Sequence, residues 1–233
     1  MTRIAAIIPV LDEEATIGAV VRGVPRDLVD AVIVADNGSR DRSAAEARAA
    51  GAEVVLEPRR GYGFACAAGA RAALDGGAEV LAFLDGDGAD DPADLARLVA
   101  PIAAGEADLV LGSRVRGAHA PGALLAHARA GNWLAAGLMR RLYGLDVTDL
   151  GPFRAVRADL YVRLDMREMG YGWTTEMMVK AARRGARVRE VPVGYRPRAG
   201  GRSKISGTVR GTVLAGAQIL ATTLRHAGPR DAG

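Results

Sequence analysis

Val80-Leu-Ala-Phe-Leu-Asp-Gly-Asp-Gly-Ala-Asp-Asp-Pro92 is the stretch on which the reading of this chain turns. Five apolar residues rich in strand formers run directly into Asp85-Gly-Asp87, and Asp91 as an N-cap with Pro92 in the first turn announces a helix. The stretch is predicted to be a buried strand ending in an acidic cup. Two carboxylates one glycine apart at such an exit repel each other, and an apolar core tolerates them only if a divalent cation or a proton offsets the charge. A hard cation with oxygen ligands, Mg2+ or Mn2+, suits the pair. A solvated turn is the competing reading of the motif taken alone.

Composition narrows the choices. With 233 residues, 49% of them hydrophobic, the chain can bury one large core, and one α/β domain with a C-terminal extension is the simplest organisation. The net charge of +4 permits an anionic partner, but the cations are spread along the chain and not gathered in aromatic-spaced runs, which argues against nucleic acid. Cys66 has no second cysteine to pair with, which fits a reducing cytoplasm. The apolar run from Ile4 to Leu11 is followed at once by Asp12-Glu-Glu14 and reads as a first strand, not a signal peptide. The stretch from Gly211 to Leu224 is too short and too polar to span a bilayer, so the chain is expected to be soluble or to lie on a surface.

Outward from the acidic strand, strand and helix patterns alternate. Arg3 to Val10, Ala31 to Ala35 and Ala52 to Glu57 read as strands; Ala15 to Val24, Ser43 to Ala50 and Gly63 to Asp75 read as helices. Such alternation implies a Rossmann-like, mostly parallel sheet with helices on both faces, whose ligands bind beyond the carboxyl ends of the strands. The polar signals fall there. The first strand leads into Pro9-Val-Leu-Asp-Glu13, the second into Asp36-Asn-Gly-Ser39, the third into Arg59-Arg-Gly-Tyr-Gly63 and the fourth into the acidic cup. One shared crevice accounts for all four. Gly61-Tyr-Gly63 brings backbone N–H groups within reach of a phosphate, while the dinucleotide fingerprint G-x-G-x-x-G is missing from the first strand-helix turn, which argues against a nicotinamide or flavin enzyme. Asp36 and Glu13 are placed to accept from a base or ribose, so a metal-bridged nucleoside diphosphate suits the crevice.

The motifs I-P-V-L-D-E-E near the start, V-A-D-N-G-S-R-D at 34 to 41, R-G-Y-G-F-A at 60 to 65 and F-L-D-G-D-G at 83 to 88 resemble those of the family 2 glycosyltransferases of the GT-A fold. The similarity is greatest to the polyprenyl-phosphate sugar synthases, the dolichyl-phosphate mannose and glucose synthase group. It continues through D-L-G-P-F-R-A at 149 to 155, T-T-E-M at 174 to 177 and R-A-G-G-R-S-K at 198 to 204. The resemblance implies a GT-A domain over residues 1–204, with 1–115 the nucleotide-sugar half and 116–204 the acceptor half and lid, followed by a C-terminal amphipathic helix and tail at 205–233. It implies that Pro9, Glu13 and Asp36 line the base and ribose, that Asp85 approaches the ribose or the metal, and that Asp87 is the main metal ligand. Gly61 and Arg114 are grouped with the donor-binding residues. The family's aromatic residue and Asn are replaced here by Leu11 and Asp12, and its metal-proximal Gln by Ala89.

Arg198, Arg202, Ser203 and Lys204 offer donors to phosphate oxygens on a loop made mobile by Gly200 and Gly201, and the resemblance makes that loop a lid over donor diphosphate and acceptor phosphate. A solvated basic loop is the alternative. The resemblance gives Glu176, in the first turn of a helix from Thr175 to Arg184, a substrate-facing role, and Arg154 one toward a phosphate. The helix dipole alone also favours an acid at Glu176, and Arg154 can equally be an ordinary arginine of an Arg-rich chain. The last helix, Ile205 to Leu224, places Ile205, Val209, Val213, Leu220 and Leu224 near one face, for packing or for peripheral contact with the cytoplasmic membrane face. The expected reaction is inverting transfer of a sugar from a nucleoside-diphosphate sugar, with polyprenyl phosphate as the leading acceptor. A soluble hydroxyl acceptor, a D-x-D phosphohydrolase, a sugar nucleotidyltransferase and a non-catalytic nucleotide-binding module are the alternatives.

Overall fold

The structure, a computed structural model, describes residues 2–118, 126–200 and 209–226. Seven strands form one sheet in the order β3-β2-β1-β4-β6-β5-β7. Strand β1 (Ile4–Val10) pairs in parallel with β2 (Ala31–Asp36) and β4 (Val80–Phe83), and β3 (Glu53–Leu56) extends the parallel run. Every residue of β1 is buried because helices cover both faces of the sheet. Alternate side chains divide into two cores. Ala5, Ile7, Ile33, Leu81 and Phe83 face one core with helices α3 (Tyr62–Asp75), α5 (Ala126–Tyr143), α6 (Ala158–Leu164) and α7 (Trp173–Arg183). Ala6, Ile8, Val10, Val34 and Ala82 face the other, with α1 (Ile17–Gly23), α2 (Ser43–Ala49) and α4 (Leu95–Ala103).

The acidic stretch behaves as its sequence predicts. Strand β4 ends at Phe83, the chain turns through Asp85-Gly-Asp87, and the Asp91 carboxylate accepts from Ala93 N at 3.2 Å to cap the short turn at Pro92–Asp94 that leads into α4. Gly86 has no room for a side chain: a Cβ there would lie 2.9 Å from Val10 Cγ2. The two acids are thus separated by a residue on which β1 itself packs.

The second half departs from simple alternation. Strand β6 (Arg154–Arg157) runs antiparallel between β4 and β5 (Leu109–Ser113), and β7 (Val188–Pro192) closes the edge parallel to β5. Neither β6, β7 nor α6 carries a clear sequence signal, since β6 is only four residues framed by arginines and β7 is a half-buried, Arg- and Glu-bearing edge. The last helix, α8 (Val209–Arg225), packs on α7 and α5. Its predicted apolar stripe is corrected at one end, because Leu224 is exposed while Thr222 and Thr223 are the buried residues; Ile205 lies outside the described residues. Among the described residues no helix is long and apolar enough to cross a membrane.

Candidate active site

A crevice of about 420 Å³ opens at the carboxyl ends of β1, β2 and β4. Of the residues predicted for the site, Pro9, Glu13, Gly61, Asp85, Asp87 and Arg198 line it. Asn37, Arg60, Tyr62, Gly170, Tyr171 and Gln218 line it as well. Asn37 shows how this wall is assembled: its Nδ2 donates to Glu57 O at 3.0 Å and Arg59 O at 2.7 Å, and its Oδ1 accepts from Gly61 N at 2.8 Å. One side chain therefore ties the exit of β2 to the Arg-Gly-Tyr-Gly turn. Asp36 is buried at the exit of β2 and does not line the crevice; its Oδ1 accepts from Ser39 N at 2.8 Å and closes the Asp-Asn-Gly-Ser turn.

At one end of the crevice the acids meet a guanidinium. Asp87 Oδ1 accepts from Ala89 N at 2.9 Å, and Asp87 Oδ2 lies 2.9 Å from Arg198 Nη1. Arg198 Nη2 donates to Glu13 Oε1 at 2.5 Å, so one guanidinium bridges two carboxylates. The strap that carries Arg198 is fixed along the acidic turn: Arg196 N donates to Ala89 O at 2.9 Å, Ala199 N to Asp87 O at 3.2 Å, and Tyr195 bridges Asp90. Asp85 accepts from the Tyr62 hydroxyl at 3.3 Å. Burial, then the neighbouring Asp87 and Asp90, push the Asp85 carboxyl well above the usual carboxylate range. Burial likewise raises Asp90 to about 7, with Asp87 adding to the effect and Arg114 opposing it.

This end gathers Asp85, Asp87 and Asp90 with Glu13, and Arg198 pairs with two of the four. Asp90 Oδ1 is buried without a hydrogen-bond partner. Oxygen donors with uncompensated charge fit a hard divalent cation. Among the described residues no three His, Cys, Asp or Glu side chains converge closely enough to hold an ion by themselves. The set therefore fits a metal that takes one or two carboxylates from the protein and the rest from water and phosphate, the habit of Mg2+.

Three predicted residues prove to be committed elsewhere. Arg114 does not line the crevice; its Nε and Nη2 each reach Asp149 at 2.7 Å, and it lies 5.0 Å above the Tyr195 ring. Burial raises the Asp149 carboxyl, but the Arg114 hydrogen bonds outweigh it and hold the group below its ordinary range. Asp149 also accepts from Asn132 Nδ2 at 2.5 Å, which leaves it no role as an exposed base. Glu176 is buried and accepts from Arg167 N at 2.9 Å and Glu168 N at 2.8 Å, with Lys180 Nζ 2.7 Å away. It clamps the loop that leads to Gly170 and Tyr171. Arg154 is fully buried and donates to the carbonyls of Gly151, Pro152 and Thr174, so it braces the fold and faces no ligand. Arg202, Ser203 and Lys204 lie outside the described residues.

The wall formed by Gly170 and Tyr171 carries no clear sequence signal. Gly61 and Gly63 pack backbone to backbone against the 168–169 segment, where a Cβ on Gly63 would lie 2.5 Å from Glu168 O, and Gly63 N donates to Met169 O at 3.0 Å. That seam sets Gly170 and Tyr171 opposite the donor motifs.

Fold and crevice together define an α/β enzyme of the GT-A type, with acids at the strand exits facing a nucleotide-sized cleft. The family model for glycosyl transferase family 2 matches residues 5–164. The chain belongs to that family and is a glycosyltransferase. It is 39% identical to an uncharacterised glycosyltransferase of Mycobacterium bovis, over 91% of this chain and 94% of the relative. It is 33% identical to the undecaprenyl-phosphate mannosyltransferase of Micrococcus luteus, over 91% of each chain. Its fold matches glucosyl-3-phosphoglycerate synthase from Mycobacterium tuberculosis, solved in complex with Mn2+, UDP and glucosyl-3-phosphoglycerate, with a TM-score of 0.76, 26% identity and coverage of 100% of this chain and 82% of that one.

Proposed function

We propose that this chain moves a hexosyl group, with inversion, from a nucleoside-diphosphate sugar to a polyprenyl phosphate, using Mg2+ or Mn2+. The single observation that carries the reading is the joining of Asp87, Glu13 and Arg198 at one end of a crevice whose other walls come from the exits of β1 and β2. Pro9, Leu11 and Asn37 suit the base and ribose, while Arg60 and Arg198 suit the diphosphate. Asp87, with Asp85 beside it, would hold the metal, which supplies electrostatic stabilisation to the departing diphosphate.

Arg198 has two partners in this scheme. Without a donor it neutralises Glu13 and Asp87; a cation held by Asp87 would take over that charge and leave the guanidinium free to donate to the diphosphate oxygens. The bond from the anomeric carbon to the diphosphate oxygen breaks with its electron pair on that oxygen, and an acceptor oxygen forms the new bond from the opposite face. A phosphate monoester, whose second pKa is about 6, is already largely dianionic at pH 7 and needs no base. Asp149 and Glu176, acids that could serve as base for a hydroxyl acceptor, are both engaged in internal hydrogen bonds. That engagement favours the anionic acceptor, as does the polyprenyl-phosphate substrate in the name of the Micrococcus luteus relative.

A lipid acceptor also accounts for exposed Trp133, at 78%, and for exposed Leu134 and Leu224 on the packed helices α5 and α8, which would rest on the cytoplasmic membrane surface. We take the expected division into a donor half at 1–115 and an acceptor half at 116–204 as part of the same reading. The test is a thermal-shift screen of nucleotide sugars with Mn2+, followed by transfer to a short polyprenyl phosphate. Release of a nucleoside diphosphate together with glycosylated lipid phosphate is expected. Release of inorganic diphosphate, or covalent phosphate on Asp85, would overturn the reading in favour of a nucleotidyltransferase or a phosphohydrolase.

A further inference from the structure

We propose that Gln218, on the C-terminal helix α8, is a specificity-determining residue that donates to a hydroxyl of the transferred sugar. The proposal rests on the reading of the crevice as a nucleotide-sugar site. Gln218 lines that crevice although it lies far along the chain from every donor motif. Its carboxamide orientation is fixed by its neighbour. Tyr171 N is a donor and lies 3.1 Å from Gln218 Oε1, so the oxygen is engaged and the NH2 is the part of the amide left for a ligand.

Two glycines hold the helix in that position. A Cβ on Gly170 would lie 3.1 Å from Gln218 Oε1, and one on Gly172 would lie 2.5 Å from Thr222 Oγ1. Residues 218 and 222 are one turn apart on one helical face, and Gly170 and Gly172 are the two positions of the loop that let this face approach. Thr222 is buried in the contact, so α8 is seated on the loop and does not merely flank it. The loop is in turn anchored from below by Glu176, through Arg167 N and Glu168 N.

The crevice is divided by charge. Of the lining residues, Glu13, Asp85 and Asp87 lie with Arg198, which pairs with Glu13 and Asp87, whereas Gly170, Tyr171 and Gln218 present no ionised side chain. A neutral amide donor beside a tyrosine matches an uncharged, hydroxylated ring. A site that hydrogen-bonds a hydroxyl discriminates between epimers by leaving a buried polar group unpaired with the wrong one.

The decisive measurement is calorimetric binding, in the presence of Mn2+, of UDP, GDP, UDP-glucose and GDP-mannose to the full chain and to two variants. Gln218→Met keeps the volume and Gln218→Leu a shorter apolar side chain, and both remove the NH2 donor without adding charge. The variants are expected to bind the bare nucleoside diphosphate within about twofold of the parent and to lose about three- to tenfold in affinity for its sugar conjugate, the worth of one neutral hydrogen bond. An equal fall for nucleotide and nucleotide sugar, or no fall for either, overturns the assignment of Gln218 and leaves the nucleotide site standing. If the parent chain binds none of the four probes, the nucleotide-sugar reading falls and this inference with it.

Discussion

Replacing Glu176 by Gln separates a clamp from a catalytic base. The carboxylate accepts from Arg167 N and Glu168 N and faces Lys180 Nζ, with its side chain 1% exposed. Gln retains one oxygen but turns an NH2 toward groups that are themselves donors. One charge-assisted hydrogen bond, worth about 1.5–3 kcal/mol, is lost, and a buried donor is left facing another, so the variant should lose about 2–4 kcal/mol of stability. For a chain of this size each kcal/mol moves Tm by roughly 2–4 °C, which puts the expected fall at roughly 5–15 °C by calorimetry. Because the clamp supports Gly170 and Tyr171, the kinetic effect should appear in the KM for donor, with kcat toward a polyprenyl phosphate kept within a few-fold. A collapse of kcat by about a thousandfold at unchanged Tm and unchanged donor binding would refute the clamp and make Glu176 a base acting on a hydroxyl acceptor.

Two further outcomes follow from the same geometry. Gly63→Ala should force the Arg-Gly-Tyr-Gly turn away from the 168–169 segment, since the new Cβ would sit 2.5 Å from Glu168 O; a loss of about 1–3 kcal/mol in urea denaturation and weaker nucleotide binding are expected, and unchanged values of both would contradict the seam. Arg198→Gln should let Mn2+ alone bind about tenfold more tightly, because Asp87 and Glu13 lose their internal counter-ion, while the nucleoside diphosphate binds more weakly; electron paramagnetic resonance of free Mn2+ reads the first effect, and unaltered Mn2+ affinity would argue against a shared site.

The N-terminal half was legible because β1, β2 and β4 are buried on both faces and read as continuous apolar runs, and because the residues at each strand exit lie close together in sequence. Pro9, Glu13, Asp85 and Asp87 come together for that reason alone. The second half of the chain obscured its own plan. Arg154 looks in sequence like a ligand for phosphate, yet its guanidinium satisfies three backbone carbonyls inside the core, and nothing local distinguishes the two roles. Glu176 carries both a family resemblance and a favourable helix position, and only the fold reveals that loop amides consume its oxygens. Gln218 carried no signal, because its place in the crevice depends on Gly170 and Gly172 admitting a helix from far along the chain.

In the proposed mechanism Asp87 holds the cation on which departure of the nucleoside diphosphate depends. Mn2+-dependent turnover of a nucleotide sugar with a short polyprenyl phosphate, measured for the parent chain and for Asp87→Ala at matched thermal stability, tests it most directly. A fall of about a thousandfold or more is expected. Full turnover in the variant would show that departure of the diphosphate does not depend on Asp87.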